Sequence, residues 1–121
     1  MERELTMAKD TLNAQELLNA CISKYSLVKI DGYNCYNFPA GVEFFGSTVM
    51  INRNDLFIVR DYGYHNDTVD CIVDCIGWNK YTTLKDACKH LDYLLDKLSR
   101  FERNYKRYLE SKRLKKIKDD F

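Results

Sequence analysis

Between Trp78 and Phe121 the chain reads WNKYTTLKDACKHLDYLLDKLSRFERNYKRYLESKRLKKIKDDF, 44 residues without a glycine or a proline. Its first part carries a helix signature. Thr83 can cap the N-terminus, with Asp86 three positions later. Leu84, Ala87, Cys88, Leu91, Leu95 and Leu98 then step by three and four, a stripe wide enough to cover one face of a sheet. The stripe runs on through Phe101, Tyr105 and Tyr108 and fades. One helix from Leu84 to Ile117 would be about 50 Å long, whereas a compact domain of this size measures about 35 Å across. The far end must therefore fold back, project or be covered. Ser99 and Glu102 repeat a capping-box spacing, so residues 84–118 are expected as one long helix or as a helix pair broken near Ser99.

The stretch leading into this helix fits two patterns. As a strand, residues 67–77 place Val69, Cys71, Val73 and Cys75 on one face. As a helix, Asp67 is the cap, Val69, Ile72, Val73 and Ile76 form the buried stripe, and Gly77 is the stop. The Val, Ile, Cys and Trp content favours the strand, as does the run Tyr81–Ala87, which reads as a strand-to-helix junction. Further upstream, Leu27–Ile30 and Tyr33–Phe38 flank Asp31-Gly32 as a hairpin. Pro39-Ala40-Gly41 breaks the run. Val42–Phe45 reads as a short edge strand. Thr48–Ile51 and Leu56–Tyr62 read as strands joined by a turn over residues 52–55. At the start, Asn13 and Glu16 form a capping box, Leu12 and Leu17 a staple, and Leu17, Leu18, Cys21, Ile22 and Tyr25 one apolar face. Residues 1–10 read as frayed.

The expectation is one α+β domain over residues 1–121, with an N-terminal helix, an antiparallel sheet of four or five strands, and the long C-terminal helix or helix pair. The 121 residues, 45% of them apolar, suit a single globular unit. No apolar run approaches the roughly 20 residues of a membrane span, and MERELTMAKD lacks the apolar core of a signal peptide, so a cytoplasmic location is expected. Five cysteines, an odd number, read there as free thiols.

No P-loop, G-x-G-x-x-G, G-x-S-x-G or H-E-x-x-H pattern is present. Cys88 and His90 stand two apart on a helix and so point about 200° apart, too far to form a nucleophile–base pair. No enzymatic activity is expected. His65, Asp70, Cys71, Cys75 and His90 fall close together in sequence and are zinc-type ligands. Cys71 and Cys75 lie about 6 Å apart on a helix but about 13 Å apart along a strand, so the strand reading leaves at most one of them for an ion. The cofactor expectation is none, or a structural zinc.

Charge divides the chain. Residues 1–96 hold 9 Lys/Arg against 14 Asp/Glu, and residues 97–121 hold 10 against 4. The basic tail, with Arg103, Lys106, Arg107, Lys112 and Arg113 at its centre, can face an acidic protein or phosphates. Pairs such as Glu102–Lys106 and Glu110–Arg113 also suit an ordinary solvated helix. Tyr33, Tyr36, Tyr62 and Tyr64 gather in the sheet region with Asp61, Asp67 and Asp70, and tyrosines beside acids make a partner-binding patch.

In its size, Tyr/Asn-rich character, sheet-then-helix order and lack of catalytic motifs, the chain resembles small phage- or prophage-encoded proteins, and among them the anti-CRISPR proteins that block Cas9-type nucleases. The resemblance implies a non-enzymatic inhibitor that acts by protein–protein contact on a host nuclease. Here the first 96 residues would meet a basic groove. Two other readings stand beside it: a nucleic-acid-binding accessory protein that uses the basic helix, and a zinc-stabilised regulatory domain.

Overall fold

The computed structural model describes residues 12–30, 32–64 and 72–119. The fold is α+β: helix α1 (Ala14–Tyr25), strands β1 (Val28–Lys29), β2 (Cys35–Asn37), β3 (Glu43–Phe45), β4 (Val49–Asn52), β5 (Asp55–Tyr64) and β6 (Ile72–Tyr81), then helix α2 (Leu84–Asp119).

Local chemistry explains most boundaries. Asn13 Oδ1 accepts from the Glu16 N–H at 2.8 Å, and Glu16 Oε1 accepts from the Asn13 N–H at 3.4 Å, closing the capping box of α1. Leu17, Leu18 and Cys21 bury its inner face. Between β4 and β5, Arg53 and Asn54 take φ of +51° and +64°, the two left-handed positions of a tight hairpin. Thr83 Oγ1 accepts from the Asp86 N–H at 3.3 Å and starts α2.

The six strands run in the order β1-β2-β4-β5-β6-β3. Two features depart from the sequence expectation. The strand count exceeds four or five, because the two-residue β1 and the three-residue β3 both pair into the sheet as its edges. The sheet is also mixed, because β3 lies at the edge beside β6 and pairs with it in parallel. The sheet curls, and Asn37 at the end of β2 bonds to the first and last residues of the β3–β4 link: its amide donates to the Gly46 carbonyl, and its Oδ1 accepts from the Thr48 N–H at 2.7 Å.

The segment with two readings resolves as a strand over Ile72–Tyr81, with residues 65–71 outside the described set. Gly77 does not end a helix. It sits inside β6 at φ +73°, with the Arg60 side chain against its α-carbon. Burial slips at that point in β5: Ile58 and Val59 are both buried and Arg60 is exposed. Ile30 N–H donates to the Cys35 carbonyl, so the β1–β2 pairing reaches that point; Asp31 of the expected Asp-Gly turn lies outside the described residues.

Helix α2 is a single unbroken helix of 36 residues, about 54 Å long. Ser99 does not break it. Its hydroxyl donates to the Leu95 carbonyl one turn back, so the side chain joins the ladder instead of capping a new helix. Ala87, Leu91, Leu94, Leu98 and Phe101 are buried against the sheet and α1. Leu94 thus takes the core place expected of Leu95, which is 40% exposed. The reason is tertiary. One flank of α2 meets α1, where Tyr25 donates to the Cys88 carbonyl, and the other meets β5, where His90 reaches the Val59 carbonyl. The buried arc between them centres near Leu94 and Leu98, and Leu95 emerges beyond the end of α1.

Leu91→Ala or Leu94→Ala should therefore cost roughly 2–5 kcal/mol, while Leu95→Ala should stay within about 1 kcal/mol. Urea denaturation of the three variants checks this. A Leu95→Ala loss equal to the other two would place the stripe differently.

Candidate functional site

Three surfaces carry chemistry: a polar seam along α2, the exposed face of β6, and the overhanging end of α2.

The seam arises because α2 runs alongside β5 in the same direction. His90 Nε2 lies 2.8 Å from the Val59 carbonyl, Tyr93 OH and Lys97 Nζ lie 3.0 and 2.7 Å from Asp61 Oδ1, and Asn104 donates to Tyr64 OH at 2.6 Å. A carbonyl only accepts, so the His90 nitrogen facing it carries the proton. Tyr81 and Tyr93 flank the His90 ring at centroid distances of 5.5 and 5.7 Å. An open cleft of about 430 Å³ lies at this end, lined by Lys80, Tyr81, Thr82, Asp86, Lys89, His90 and Tyr93. Cys88 lies toward α1 and His90 toward β5, opposite flanks of one helix. Burial alone would raise the Asp61 carboxyl. The Lys97 ammonium, the Tyr62 N–H and the Tyr93 hydroxyl outweigh it, and the net shift is below the ordinary carboxylate range. Burial likewise opposes the charge on Lys97, but the bond it donates to Asp61 prevails and raises it.

The partner-binding set drawn from the sequence divides accordingly. Tyr33 is 67% exposed, and Tyr36 is half-buried against the core. Asp61 and Tyr64 are tied into the seam. Tyr62 is a correction: it is 1% exposed. Its ring packs against Phe44 and its hydroxyl bonds to Thr48, so it belongs to the core and cannot touch a partner. Burial pushes its phenol upward. Asp67 and Asp70 lie outside the described residues. Described residues between 12 and 96 carry eight Asp/Glu against seven Lys/Arg, so most of the excess negative charge falls on residues outside that set.

Of the zinc-type ligands, His65, Asp70 and Cys71 lie outside the described residues. The Cys75 thiol is half-buried and pushed up to about 12, chiefly by burial, with the Asp74 carboxylate adding. His90 has one ring nitrogen committed to Val59. Among the described residues no three His, Cys, Asp or Glu side chains gather as a metal site, and no helix there is long and apolar enough to cross a membrane.

The second surface was missed in the sequence. Along β6, Val73 and Cys75 face inward while Ile76 and Trp78 face out, 51% and 36% exposed. Phe45 of β3, 65% exposed, pairs with Asp74, two residues before Ile76. Ile76 lies over Gly63, where an added β-carbon would come within 2.9 Å of its Cδ1. The available signal was the apolar residues at both parities of residues 72–78: a strand apolar on both faces offers one of them for contact.

On the third surface, every residue from Lys106 to Lys118 is exposed. Arg103, Lys106, Arg107, Lys112 and Arg113 are all there, joined by Lys115, Lys116 and Lys118. Neither Glu102–Lys106 nor Glu110–Arg113 closes into an ion pair. Lys112 Nζ instead sits 5.4 Å from the Tyr108 ring. Compared with protein-family models, curated proteins and solved structures, the chain matches none.

The seam predicts a pH signature. Asp61 has a lowered carboxyl, so its contribution is present above the unfolded value near pH 4 and is lost as pH falls through the folded value. Lys97 is raised, so its contribution is present below about pH 10.4 and is lost as pH rises through the folded value. The two side chains are 39% and 30% exposed, so solvent screening limits the pair to about 1 kcal/mol. Asp61→Asn should destabilise the protein by up to that amount at pH 7, and the loss should shrink as pH falls from 4 to 2, as read from urea midpoints. A loss that does not change with pH would make the contact one of packing.

Proposed function

We propose that this protein is a small, non-enzymatic inhibitor of a host nucleic-acid enzyme, a Cas9-type nuclease in the manner of the anti-CRISPR proteins it resembles. It acts in the cytoplasm of a bacterial host by protein–protein contact. The observation that carries the reading is the exposed row of Phe45, Ile76 and Trp78 on β3 and β6. Large apolar and aromatic side chains held rigidly on strands are the material of interface anchors, and Trp is the residue most enriched among them. Glu43, Asp74 and Lys80 supply charged neighbours on the same two strands. The contact is thus expected to be centred on apolar side chains, not on the tyrosines and acids of β5. The choice of enzyme class rests on the resemblance in size, Tyr/Asn-rich composition and sheet-then-helix order, an order the fold retains.

The test adds purified protein to a guide-loaded Cas9-type nuclease and follows target cleavage. Dose-dependent inhibition is expected. The Ile76→Asp, Trp78→Ala double variant should weaken it at least about 30-fold, the equivalent of losing one interface anchor of about 2 kcal/mol, while its melt stays cooperative. Absence of both binding and inhibition across nucleases of this type from several hosts would remove the reading. Undiminished inhibition by the double variant would move the contact off β6.

A further inference from the structure

We propose that the overhanging half of α2, residues 103–118, is a nucleic-acid-binding rod that grips the phosphate backbone by charge and not by sequence. The inference stands on the end of the helix and is independent of the inhibitor reading, which rests on β6.

Four observations carry it. The first is density. Eight Lys/Arg (Arg103, Lys106, Arg107, Lys112, Arg113, Lys115, Lys116 and Lys118) occupy this segment against a single acid, Glu110. Its length is about 22 Å, over which duplex DNA presents about 13 phosphates. The second is distribution. At 3.6 residues per turn the eight cations leave no arc of the helix wider than about 60° uncovered. An acidic patch on a protein meets one side of a helix, whereas a helix laid in a major groove about 12 Å wide has phosphate walls on both sides. Charge around the whole circumference suits the groove.

The third is availability. None of the eight cations pairs with a carboxylate among the described residues, and all side chains from Lys106 to Lys118 are exposed. Their charges are not consumed by any carboxylate among the described residues. The fourth is the character of the remaining side chains. Tyr108, with Lys112 against its ring, presents an aromatic surface at the head of the cationic stretch, Ser111 adds a short hydroxyl donor, and Leu109, Leu114 and Ile117 are exposed between the cations. No set of Asn, Gln and Arg is placed on one face to read base edges, which is why the grip is backbone-directed.

The experiment uses the full chain and a fluorescently labelled 20-base-pair duplex of mixed sequence, with anisotropy read from 50 to 200 mM NaCl. If about six phosphates are neutralised, affinity should fall about a thousand-fold over that range, with a log–log slope near −5. Replacing Lys112, Arg113, Lys115 and Lys116 by Gln should flatten the slope by about 3 and lower affinity at 50 mM NaCl at least a hundred-fold. The melting temperature should not change, since these side chains touch nothing in the core. A second duplex of unrelated sequence should bind within about threefold. The Ile76→Asp, Trp78→Ala variant should bind duplex like the wild type, so failure here and failure of the inhibitor reading are separate results. Binding indifferent to salt, or unchanged by the four substitutions, overturns the proposal. So does displacement by polyglutamate of matched charge as readily as by unlabelled duplex, which would assign the rod to an acidic protein.

Discussion

The constraint on which the structure depends is a mismatch of length. Strands β5 and β6 have ten residues each, about 33 Å at a strand's rise, while α2 has 36 residues, about 54 Å. A helix that starts at one end of the ladder must therefore overhang the other. The handover is visible at Tyr64, the last residue of β5, whose ring meets Phe101 and whose hydroxyl accepts from Asn104. Up to that point α2 is held by buried Leu91, Leu94, Leu98 and Phe101. Beyond it the helix relies on its own chemistry: no glycine or proline, a run of good helix formers, and cations at the end where the helix dipole favours them.

The long elements were legible because their signals are local and repeated. The capping box at Asn13, the absence of helix breakers after Gly77 and the turn over residues 52–55 each depend on a few neighbours in sequence, and each is present as read. The strand read over residues 67–77 is extended where it is described, from Ile72, and its residue types made it legible although the alternation alone allowed a helix; its continuation through Gly77 to Tyr81 was not legible. The edge position of β3 followed from its brevity. Its parallel pairing did not, since nothing within Val42–Phe45 says which end of the sheet it will join.

What escaped the sequence depends on which neighbour an element meets. Leu94 and Leu95 are equally apolar, and both continue the spacing from Leu91. Only the placement of β5 on one flank of α2 makes Leu94 the buried one. Tyr62 and Tyr64 are two residues apart on one strand, yet one is core and the other forms part of the seam, because Phe44 and Thr48 close over the first. Ser99 satisfies the capping-box spacing but bonds backward, since the core stripe on either side holds the backbone helical through that point. The exposed row on β6 was hidden in an apolar count: Ile76 and Trp78 look like core until the register places Val73 and Cys75 on the inward face.

The two outward surfaces differ in range as well as in chemistry. Apolar contact at Ile76 and Trp78 acts only at touching distance and rewards shape. The cations of the overhang act across a Debye length, about 8 Å at physiological salt, and are carried farther by about 22 Å of projecting helix. The first 96 residues, with 14 acids against 9 bases, carry the opposite sign, so the cations act most freely where the helix projects away from them. In a partner that holds nucleic acid, the rod would be drawn to phosphate first, and the rigid face of β6 would decide whether the encounter becomes a complex. Charge would then set the rate of arrival, and the residues around Trp78 the lifetime.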